Sequence, residues 1–419
     1  MSCPRYVIDY IDSCKTTPPK VNHYVIDYNT FNQSKLSVKK FVLTLQQGSG
    51  PRMQKPPPKI KDVAHVAGVS TATVSRALTQ PDRLSEATRA KVFDAIEVTG
   101  YRVNAAARNL RTRRAGAVLV LVPNLGNPFF SAILSSMNDV LSANGYSVLV
   151  FDSQQPGASE QAVADCFLNG SVDGMITLDG DMSATTARAL RGANMMRNVV
   201  FCCEWSDQWP LPSIRSNNGL GARLAVDHLV AQGHQRIAHV AGPQDNILAQ
   251  VRKSAFLQRC ATHGLDIRQD WVVPGDFSLG AGAQAADRIL AMTPRPTGIF
   301  CASDAMALSF VARCKQRGIN VPDDISVVGF DDIEMAAFAE PGLTTIRQDR
   351  AGLGRLAAQE LLARLRGEQQ TEGAHIIYAP VTLIERATTA SPPVAGLVNG
   401  HANPEAPPIE CPEPDDKPA

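Results

Sequence analysis

Residues 60–78, IKDVAHVAGVSTATVSRAL, decide the fold at the front of this 419-residue chain. The i, i+3, i+4, i+7 spacing of one apolar helix face is met by Ile60, Val63, Ala64 and Ala67. Gly68 ends that helix, and Ser70 is a preferred N-cap for a second one. The second helix has its own apolar stripe, formed by Val74, Ala77 and Leu78. Two short helices joined by a tight turn predict a helix-turn-helix unit.

The pattern continues beyond this stretch. Ser85 can cap a third helix, and Gly100 followed by Tyr101 is typical of a helix C-terminus. We therefore predict a helix-turn-helix domain over residues 59–105. Asn104 can cap a fourth, short helix that runs into a basic cluster, and we predict a hinge helix over residues 106–114. A helix this short is marginal in water unless something supports it.

Charge is unevenly distributed, although the formal net charge is only +1. Residues 53–114 hold 12 Lys and Arg against 5 Asp and Glu, whereas residues 115–419 hold 22 against 32. A basic front on an acidic body is typical of a domain that faces phosphates. Charge asymmetry also occurs in proteins that bind no nucleic acid, so this observation alone leaves that alternative open.

After residue 115 the periodicity changes to strands that alternate with helices. This alternation predicts parallel sheets with helices on both faces, arranged as a two-lobed domain over residues 115–390. Ligands of such sheets bind beyond the carboxyl ends of the strands, and therefore between the lobes. The alternation thus predicts a small all-α headpiece followed by an α/β two-lobed domain.

Both ends of the chain lack this patterning. Residues 391–419 are rich in Pro and acidic residues and are predicted to be disordered. Residues 1–58 are predicted to be a disordered extension, and translation starting at Met53 would give a 367-residue protein. Within this extension the sequence YVIDY occurs twice, at residues 6–10 and 24–28. One explanation is two strands formed by chance; the other is translated upstream DNA, because VIDY can be encoded by the palindrome GTA ATC GAT TAC.

Composition excludes several classes of protein. The nine cysteines are odd in number and form no C-x-x-C pair, so we expect no disulfide framework, no metal site and no cofactor. No run of 18 apolar residues occurs, so no membrane span is predicted. The first residues lack the apolar stretch of a secretory signal. We expect a cytoplasmic protein.

Many short motifs together resemble the lactose-repressor (LacI/GalR) family, in the order in which the family has them. They begin with residues 60–78 and continue as SEATR at 85–89, GY at 100–101, ARNL at 107–110, NPFF at 127–130, DG at 173–174, GH at 233–234, AGP at 241–243, SDAM at 303–306, VGFDD at 328–332 and LTTI at 343–346. The resemblance covers about residues 59–390 and implies that the α/β two-lobed domain is periplasmic-binding-protein-like (type I). Within the family, the headpiece and residues 275–277 are most similar to cytidine-repressor-like members.

The resemblance implies that the second helix lies in the major groove of DNA. The matching positions are Thr71, Ala72, Thr73, Ser75 and Arg76. Arg76 can donate two hydrogen bonds to guanine, and Ala72 can contact a thymine methyl group. The alternative for Arg76 is a phosphate contact or a solvated side chain. Thr71, Thr73 and Ser75 are better suited to phosphate contacts or capping than to base recognition.

In the hinge, the resemblance implies that Leu110 inserts into the minor groove while Arg108 and Arg111 neutralise phosphates. The alternative is that Leu110 only packs against the large domain.

The resemblance also implies an effector site between the lobes, formed by Phe129, Phe130, Arg252, Phe277, Ser303 and Asp331. Aromatic rings would stack on a sugar or base, while the arginine and the carboxylate would bind hydroxyl groups. Ala255 stands where the family usually has glycine, and Ser303 stands where several members have asparagine. Two alternatives remain: Phe129 and Phe130 belong to the core, or Arg252 and Asp331 form a salt bridge between the lobes.

These observations predict a homodimeric or tetrameric transcription regulator, most simply a repressor, that binds palindromic operator DNA. A small sugar, sugar derivative or nucleoside would control it as an inducer or a corepressor. A periplasmic sugar-binding protein would share the two lobes but not the headpiece. An enzyme is disfavoured, because Asp331 and Asp332 are adjacent rather than opposed across a cleft and no nucleophile or phosphate-loop motif occurs.

Overall fold

The structure is a computed structural model that describes residues 7–10, 22–25, 58–101, 114–154, 160–368 and 374–393. Strands β1 (Val7–Tyr10) and β2 (Asn22–Val25) pair antiparallel within the extension that the sequence predicted to be disordered. The chain divides into two compact units, residues 1–102 and 103–419.

The headpiece contains helices α1 (Ile60–Ala67), α2 (Thr71–Thr79) and α3 (Glu86–Thr99). As predicted, Ser70 and Ser85 cap α2 and α3, each accepting a hydrogen bond from the backbone N–H three residues later. Gly68 and Gly100 end α1 and α3 with φ of +64°, the left-handed conformation in which a residue lacking Cβ is favoured. The headpiece core consists of Val63, Ala64, Val74, Ala77, Val92 and Ala95.

The part of the second unit that the structure describes contains two six-stranded sheets, one in each lobe. In lobe 1 the strand order is β13-β7-β6-β5-β3-β4, and all neighbouring strands are parallel. Its strands are β3 (Ala117–Val122), β4 (Ser147–Asp152), β5 (Gly174–Thr177), β6 (Val199–Cys202), β7 (Ser213–Ser216) and β13 (Ile376–Ala379). Its helices are α4 (Phe129–Ala143), α5 (Glu160–Leu168), α6 (Ala184–Gly192) and α12 (Arg350–Arg366).

Lobe 2 has the strand order β14-β12-β11-β10-β8-β9, and only β14 is antiparallel to its neighbour. Its strands are β8 (Ile237–Val240), β9 (Val272–Val273), β10 (Gly298–Cys301), β11 (Ser326–Asp331), β12 (Thr344–Gln348) and β14 (Val381–Ile384). Its helices are α7 (Asn218–Ala231), α8 (Ile247–Thr262), α9 (Leu279–Leu290), α10 (Asp304–Gln316) and α11 (Glu334–Phe338).

Among the described residues, the chain passes between the lobes three times: between β7 and α7, between β12 and α12, and between β13 and β14. Apolar residues form a separate core on each side of each sheet. Ile333 of lobe 2 belongs to the core cluster built mainly from lobe 1, so the lobes are in direct apolar contact. The two-lobed α/β fold predicted from the alternation of strands and helices is confirmed.

Candidate functional site

Helix α2 presents a polar face to solvent. Thr71, Ala72 and Arg76 are exposed, whereas Val74 is fully buried against the headpiece core. Thr73 shares a hydroxyl–hydroxyl hydrogen bond of 2.9 Å with Ser70, so its side chain takes part in capping, one of the two roles that the sequence left open. Ser75 is half-buried on the same helix.

Arg76 lies on the exposed face of α2. No hydrogen bond or ion pair of its side chain occurs among the residues described, and its guanidinium lies in solvent. A fork of five N–H donors in this position is free to bind an external acceptor. The hinge residues Arg108, Leu110 and Arg111 lie outside the described residues, so their roles stay predictions.

Arg252 lies in lobe 2, on α8, and only 2% of it is exposed. Its Nε donates to Asn218 Oδ1 at 2.9 Å, and Nη1 donates to the backbone oxygen of Ala302. The guanidinium carbon lies 3.8 Å from the centre of the Phe330 ring, a cation–π contact. Burial lowers the pKa of Arg252, with opposing contributions led by Asp331. The arginine is therefore fixed in place by neutral partners.

Asp331 ends β11 and is 7% exposed. Its carboxylate accepts a hydrogen bond of 2.7 Å from Gln348 Nε2. Burial raises its pKa to about 6, although Arg252 and the Gln348 hydrogen bond oppose the shift. No ion pair within 4.0 Å joins Asp331 to Arg252 in the described structure, and both belong to lobe 2. The alternative of a salt bridge between the lobes is therefore wrong.

Ser303 and Phe277 lie near the same arginine. Ser303 is the N-cap of α10, accepting from Met306 N at 3.3 Å, and it follows Ala302, which binds Arg252. The Phe277 ring is half-buried, with its centre 5.9 Å from the Arg252 guanidinium carbon. Four of the six residues predicted for the effector site are thus gathered at the carboxyl ends of the lobe 2 strands.

Phe129 and Phe130 are placed differently. They begin α4 in lobe 1, 6% and 7% exposed, with their rings edge to face at a centre-to-centre distance of 5.1 Å. Both belong to the lobe 1 core together with Ile133 and Met137. The structure therefore gives them the core packing that the sequence analysis named as the alternative, and it leaves little ring surface for a ligand.

Sequence reasoning missed Glu204, whose side chain forms a hydrogen bond between the two lobes. This lobe 1 residue follows β6, and its carboxylate accepts 2.8 Å and 3.1 Å hydrogen bonds from Asn246 Nδ2 of lobe 2 and Gly180 N. Burial raises the pKa of Glu204, with Asn246 and Gly180 opposing the shift. Its position after a parallel strand is the signal that could have identified it.

Gln348, the partner of Asp331, was missed for a different reason. It is buried at the end of β12, and a lone glutamine carries no chemical motif. A cavity of about 360 Å³ lies beside it, and none of the six predicted effector residues lines that cavity. Gln348 lines the cavity and donates to Asp331, so the cavity adjoins the Arg252 cluster. The cluster carries the effector proposal because its charged groups are buried and fixed.

Comparison with known proteins identifies the class. The profile for "Bacterial regulatory proteins, lacI family" matches residues 59–104, and a "Periplasmic binding protein-like domain" matches residues 226–389. The HTH-type transcriptional repressor CytR of Escherichia coli (strain K12) is 34% identical over 333 residues, which cover 80% of this chain and 97% of that protein.

Solved structures agree with this class. A Lac repressor dimer bound to operator and the anti-inducer ONPF has a TM-score of 0.70 and 32% identity, over 80% of this chain and 100% of that one. A transcriptional regulator CelR–cellobiose complex has a TM-score of 0.61 and 28% identity, over 79% and 99% of the two chains.

The chain belongs to the lacI family of bacterial regulatory proteins. It is a DNA-binding transcription regulator with a helix-turn-helix headpiece and a periplasmic-binding-like domain, and its relatives are repressors rather than enzymes. Within the described residues, no helix is both long and apolar enough to cross a bilayer.

Proposed function

We propose that this protein is a cytoplasmic repressor that binds palindromic operator DNA as a homodimer and responds to a small carbohydrate or nucleoside. The observation that carries the DNA-binding role is the exposed guanidinium of Arg76 on α2. A bidentate arginine–guanine contact discriminates against other bases by about 1–3 kcal/mol. A two-fold symmetric dimer would place two such helices on the two halves of a palindrome. The Lac repressor structure, a dimer on operator DNA, supports this arrangement.

The other headpiece and hinge residues have supporting roles in this proposal. Thr71 and Ala72 lie beside Arg76 on the exposed face, where a hydroxyl can bind phosphate and a methyl group can contact thymine. Arg108 and Arg111 would neutralise phosphates on either side of Leu110. Leu110→Ala should weaken operator binding without changing effector affinity, because an apolar wedge acts only on the duplex.

The proposed effector site is the Arg252 cluster with Asp331, Ser303 and Phe277, which faces Glu204 of lobe 1. Arg252 and Asp331 would bind ligand hydroxyl groups, and Phe277 would cover one face of the ring. Phe129 and Phe130 would shape the cleft from within the lobe 1 core. Relatives support a small-molecule effector of this kind: ONPF binds the Lac repressor, and cellobiose binds CelR.

A ligand screen tests this function. Purified full-length protein is heated with single nucleosides and sugars, and compounds that raise its melting temperature are then titrated into a protein–operator mixture. A ligand at 100 times its Kd adds about 2.7 kcal/mol of stability, an easily measured shift. Altered operator affinity without turnover of the ligand supports the proposal. Turnover of the compound, or stabilisation with unchanged operator affinity, contradicts it.

Arg252→Gln is the matched variant for the screen. It keeps a side-chain donor toward Asn218 but removes the charge and the fork, so the ligand-induced shift should disappear. Arg236→Gln is the control, because Arg236 is exposed and its Nε contacts only the backbone oxygen of Arg295 among the described residues. An equal ligand response in Arg252→Gln and Arg236→Gln would exclude the Arg252 cluster as the site.

A further inference from the structure

The cavity of about 360 Å³ lies where the chain passes between the lobes, at the β12–α12 and β13–β14 connections. Its walls come from both lobes: Ala132 belongs to α4 of lobe 1, and Thr382 belongs to β14 of lobe 2. Arg347 and Arg350 line it as well, one on each side of the β12–α12 connection. A molecule in this cavity would touch both lobes and two of the three segments that join them.

The acidic groups of the cavity wall already have partners. Asp332 accepts 2.6 Å and 2.7 Å hydrogen bonds from Arg347 Nε and Arg386 Nη2, which occupy its two carboxylate oxygens. Its pKa is lowered below the usual range, because these arginine hydrogen bonds outweigh the effect of burial. Asp349 caps α12 by accepting from Gly352 N at 2.8 Å. Neither carboxylate is a free acceptor for a positively charged ligand.

The arginines, in contrast, keep unused donors. Arg347 is exposed and contacts Asp332 through Nε, which leaves its terminal nitrogens toward solvent. Arg350 donates to two backbone oxygens, those of Asp332 at 3.0 Å and Pro128 at 3.4 Å. Among the described residues, no carboxylate lies within 4.0 Å of the Arg350 guanidinium. The Arg350 guanidinium therefore donates, among these residues, to carbonyl oxygens alone, and its positive charge opposes the rise in the pKa of Asp331.

Small apolar surfaces complete the cavity. Ala132, Ala351 and Pro380 line it beside the two guanidinium groups. Arginine binds carboxylate and phosphate groups in a fork geometry that a single point charge cannot match. We propose that this cavity is a binding site for a small oxyanion, a carboxylate or phosphate carried on a compact apolar body, held by Arg347 and Arg350.

This site adjoins the effector cluster, because Gln348 lines the cavity and donates to Asp331, and it predicts a second input to the regulator. Arg350 connects Pro128, at the start of α4 in lobe 1, to Asp332, at the end of β11 in lobe 2. An oxyanion held by Arg350 and Arg347 would add contacts at this connection between the lobes. Its binding would therefore be energetically coupled to the lobe angle and, through it, to ligand binding in the cleft.

Calorimetric titration of the full-length protein tests the site, with inorganic phosphate, succinate and the neutral analogue succinamide as probes at constant ionic strength. At least one oxyanion should bind with a stoichiometry of one per chain, whereas succinamide should not. The oxyanion that binds identifies the group as phosphate or carboxylate. Absence of binding by both oxyanions overturns the proposal, as does equal binding of succinamide.

Matched variants locate the binding. Arg350→Gln and Arg347→Gln should each weaken oxyanion binding about tenfold or more, because each removes a charged donor pair. Arg350→Lys keeps the charge without the fork and should fall between Arg350→Gln and the unmodified chain. Two controls should leave the affinity unchanged: Arg268→Gln, whose guanidinium pairs with Asp270 away from the cavity, and Arg76→Gln in the basic headpiece. Unchanged affinity in Arg350→Gln, or loss in Arg76→Gln, would place the anion elsewhere and overturn the assignment.

Discussion

The headpiece and the two-lobed unit use charge in opposite ways. The headpiece encloses a core of small apolar side chains and leaves Arg76 on its surface without a partner among the residues described. The two-lobed unit instead buries Arg252 and Asp331 and bonds each of them to neutral groups, Asn218 and Gln348. An exposed arginine suits a partner with many negative charges, such as DNA. Buried, fixed charges suit a small molecule whose hydrogen bonds to water are replaced by hydrogen bonds to the protein.

The difference has a physical cause. Contacts with phosphates are made in water and are weakened by salt. An exposed arginine therefore stays hydrated in the free protein and loses water only when DNA binds. A buried charge loses its hydration when the chain folds and needs internal hydrogen bonds to remain charged. The cleft residues therefore contribute to the folding stability of the two-lobed unit, whereas Arg76 contributes almost nothing to the folding stability of the headpiece.

The largest effect should come from the core of lobe 2. Phe300 is fully buried, and the centre of its ring lies 4.8 Å from the ring centre of His239 and 6.3 Å from that of Phe330. Phe300→Ala should lower the free energy of unfolding of this unit by about 3–5 kcal/mol, because it leaves a cavity beneath the Arg252 cluster. Urea unfolding followed by circular dichroism measures the loss. Phe338→Ala is the control, because Phe338 is 83% exposed and its removal should cost less than about 0.5 kcal/mol. Equal losses in the two variants would contradict the assigned core.

Arg76→Ala should act on DNA binding alone. Loss of a bidentate contact to guanine should cost about 1–3 kcal/mol of operator affinity and relax specificity at one position of each half-site. Fluorescence anisotropy on operator and scrambled duplexes checks this. Arg83→Ala removes an exposed charge that is outside α2, so any weakening it causes should be equal for both duplexes. If Arg76→Ala also weakens both equally, Arg76 contacts phosphate and not bases.

Asp331 should make the stability of the large unit depend on pH. Its pKa rises from 3.8 to about 6 because of burial, so the folded chain holds this proton more tightly than the unfolded chain does. The contribution to stability is therefore full below about pH 4 and is lost as the pH rises through about 6. The stability of the unmodified chain minus that of Asp331→Asn should fall by about 1–3 kcal/mol between pH 4 and 7.

Urea unfolding at a series of pH values measures that difference. Asp266→Asn, at an exposed position, supplies the control curve. A flat difference curve, or one that rises with pH, would show that Asp331 is not held in its protonated form by burial.

The smallest effect should come from the cap of α2. Ser70→Ala removes the acceptor for Thr73 N and should lower headpiece stability by about 1 kcal/mol. Operator affinity should fall no more than the added cost of ordering α2, and oxyanion binding should not change. Hydrogen–deuterium exchange at the backbone amides of residues 71–75 measures this loss of helix stability directly. Unaltered exchange would mean that the cap does not stabilise α2.

Sequence reasoning reached much of the fold. The helix caps Ser70 and Ser85 and the glycine ends at Gly68 and Gly100 are local chemistry, so the printed residues sufficed to place them. The alternation of apolar strands with amphipathic helices likewise predicted two parallel sheets. Strand β14 could not be predicted as antiparallel, because its direction depends on pairing with β12, which is far away in the chain.

Within the site, success depended on distance along the chain. Asp331 and Ser303 were found because each lies in a short family motif, and Arg252 was found because it matches a family position. Glu204 and Gln348 were missed, since their roles arise only when Asn246 and Asp331 approach them in three dimensions. Phe129 and Phe130 are aromatic residues of the type that stacks on a sugar or base ring. Their burial depends on the packing of α4, which periodicity alone does not determine.

We propose that Arg76 on α2 recognises bases in an inverted repeat. Selection of duplexes from a random pool by the full-length protein, followed by sequencing, tests it most directly when repeated with Arg76→Ala. We expect the unmodified protein to enrich an inverted repeat with a guanine–cytosine pair in each half-site. Arg76→Ala should no longer enrich that pair. No enriched repeat, or the same motif from both proteins, would contradict it.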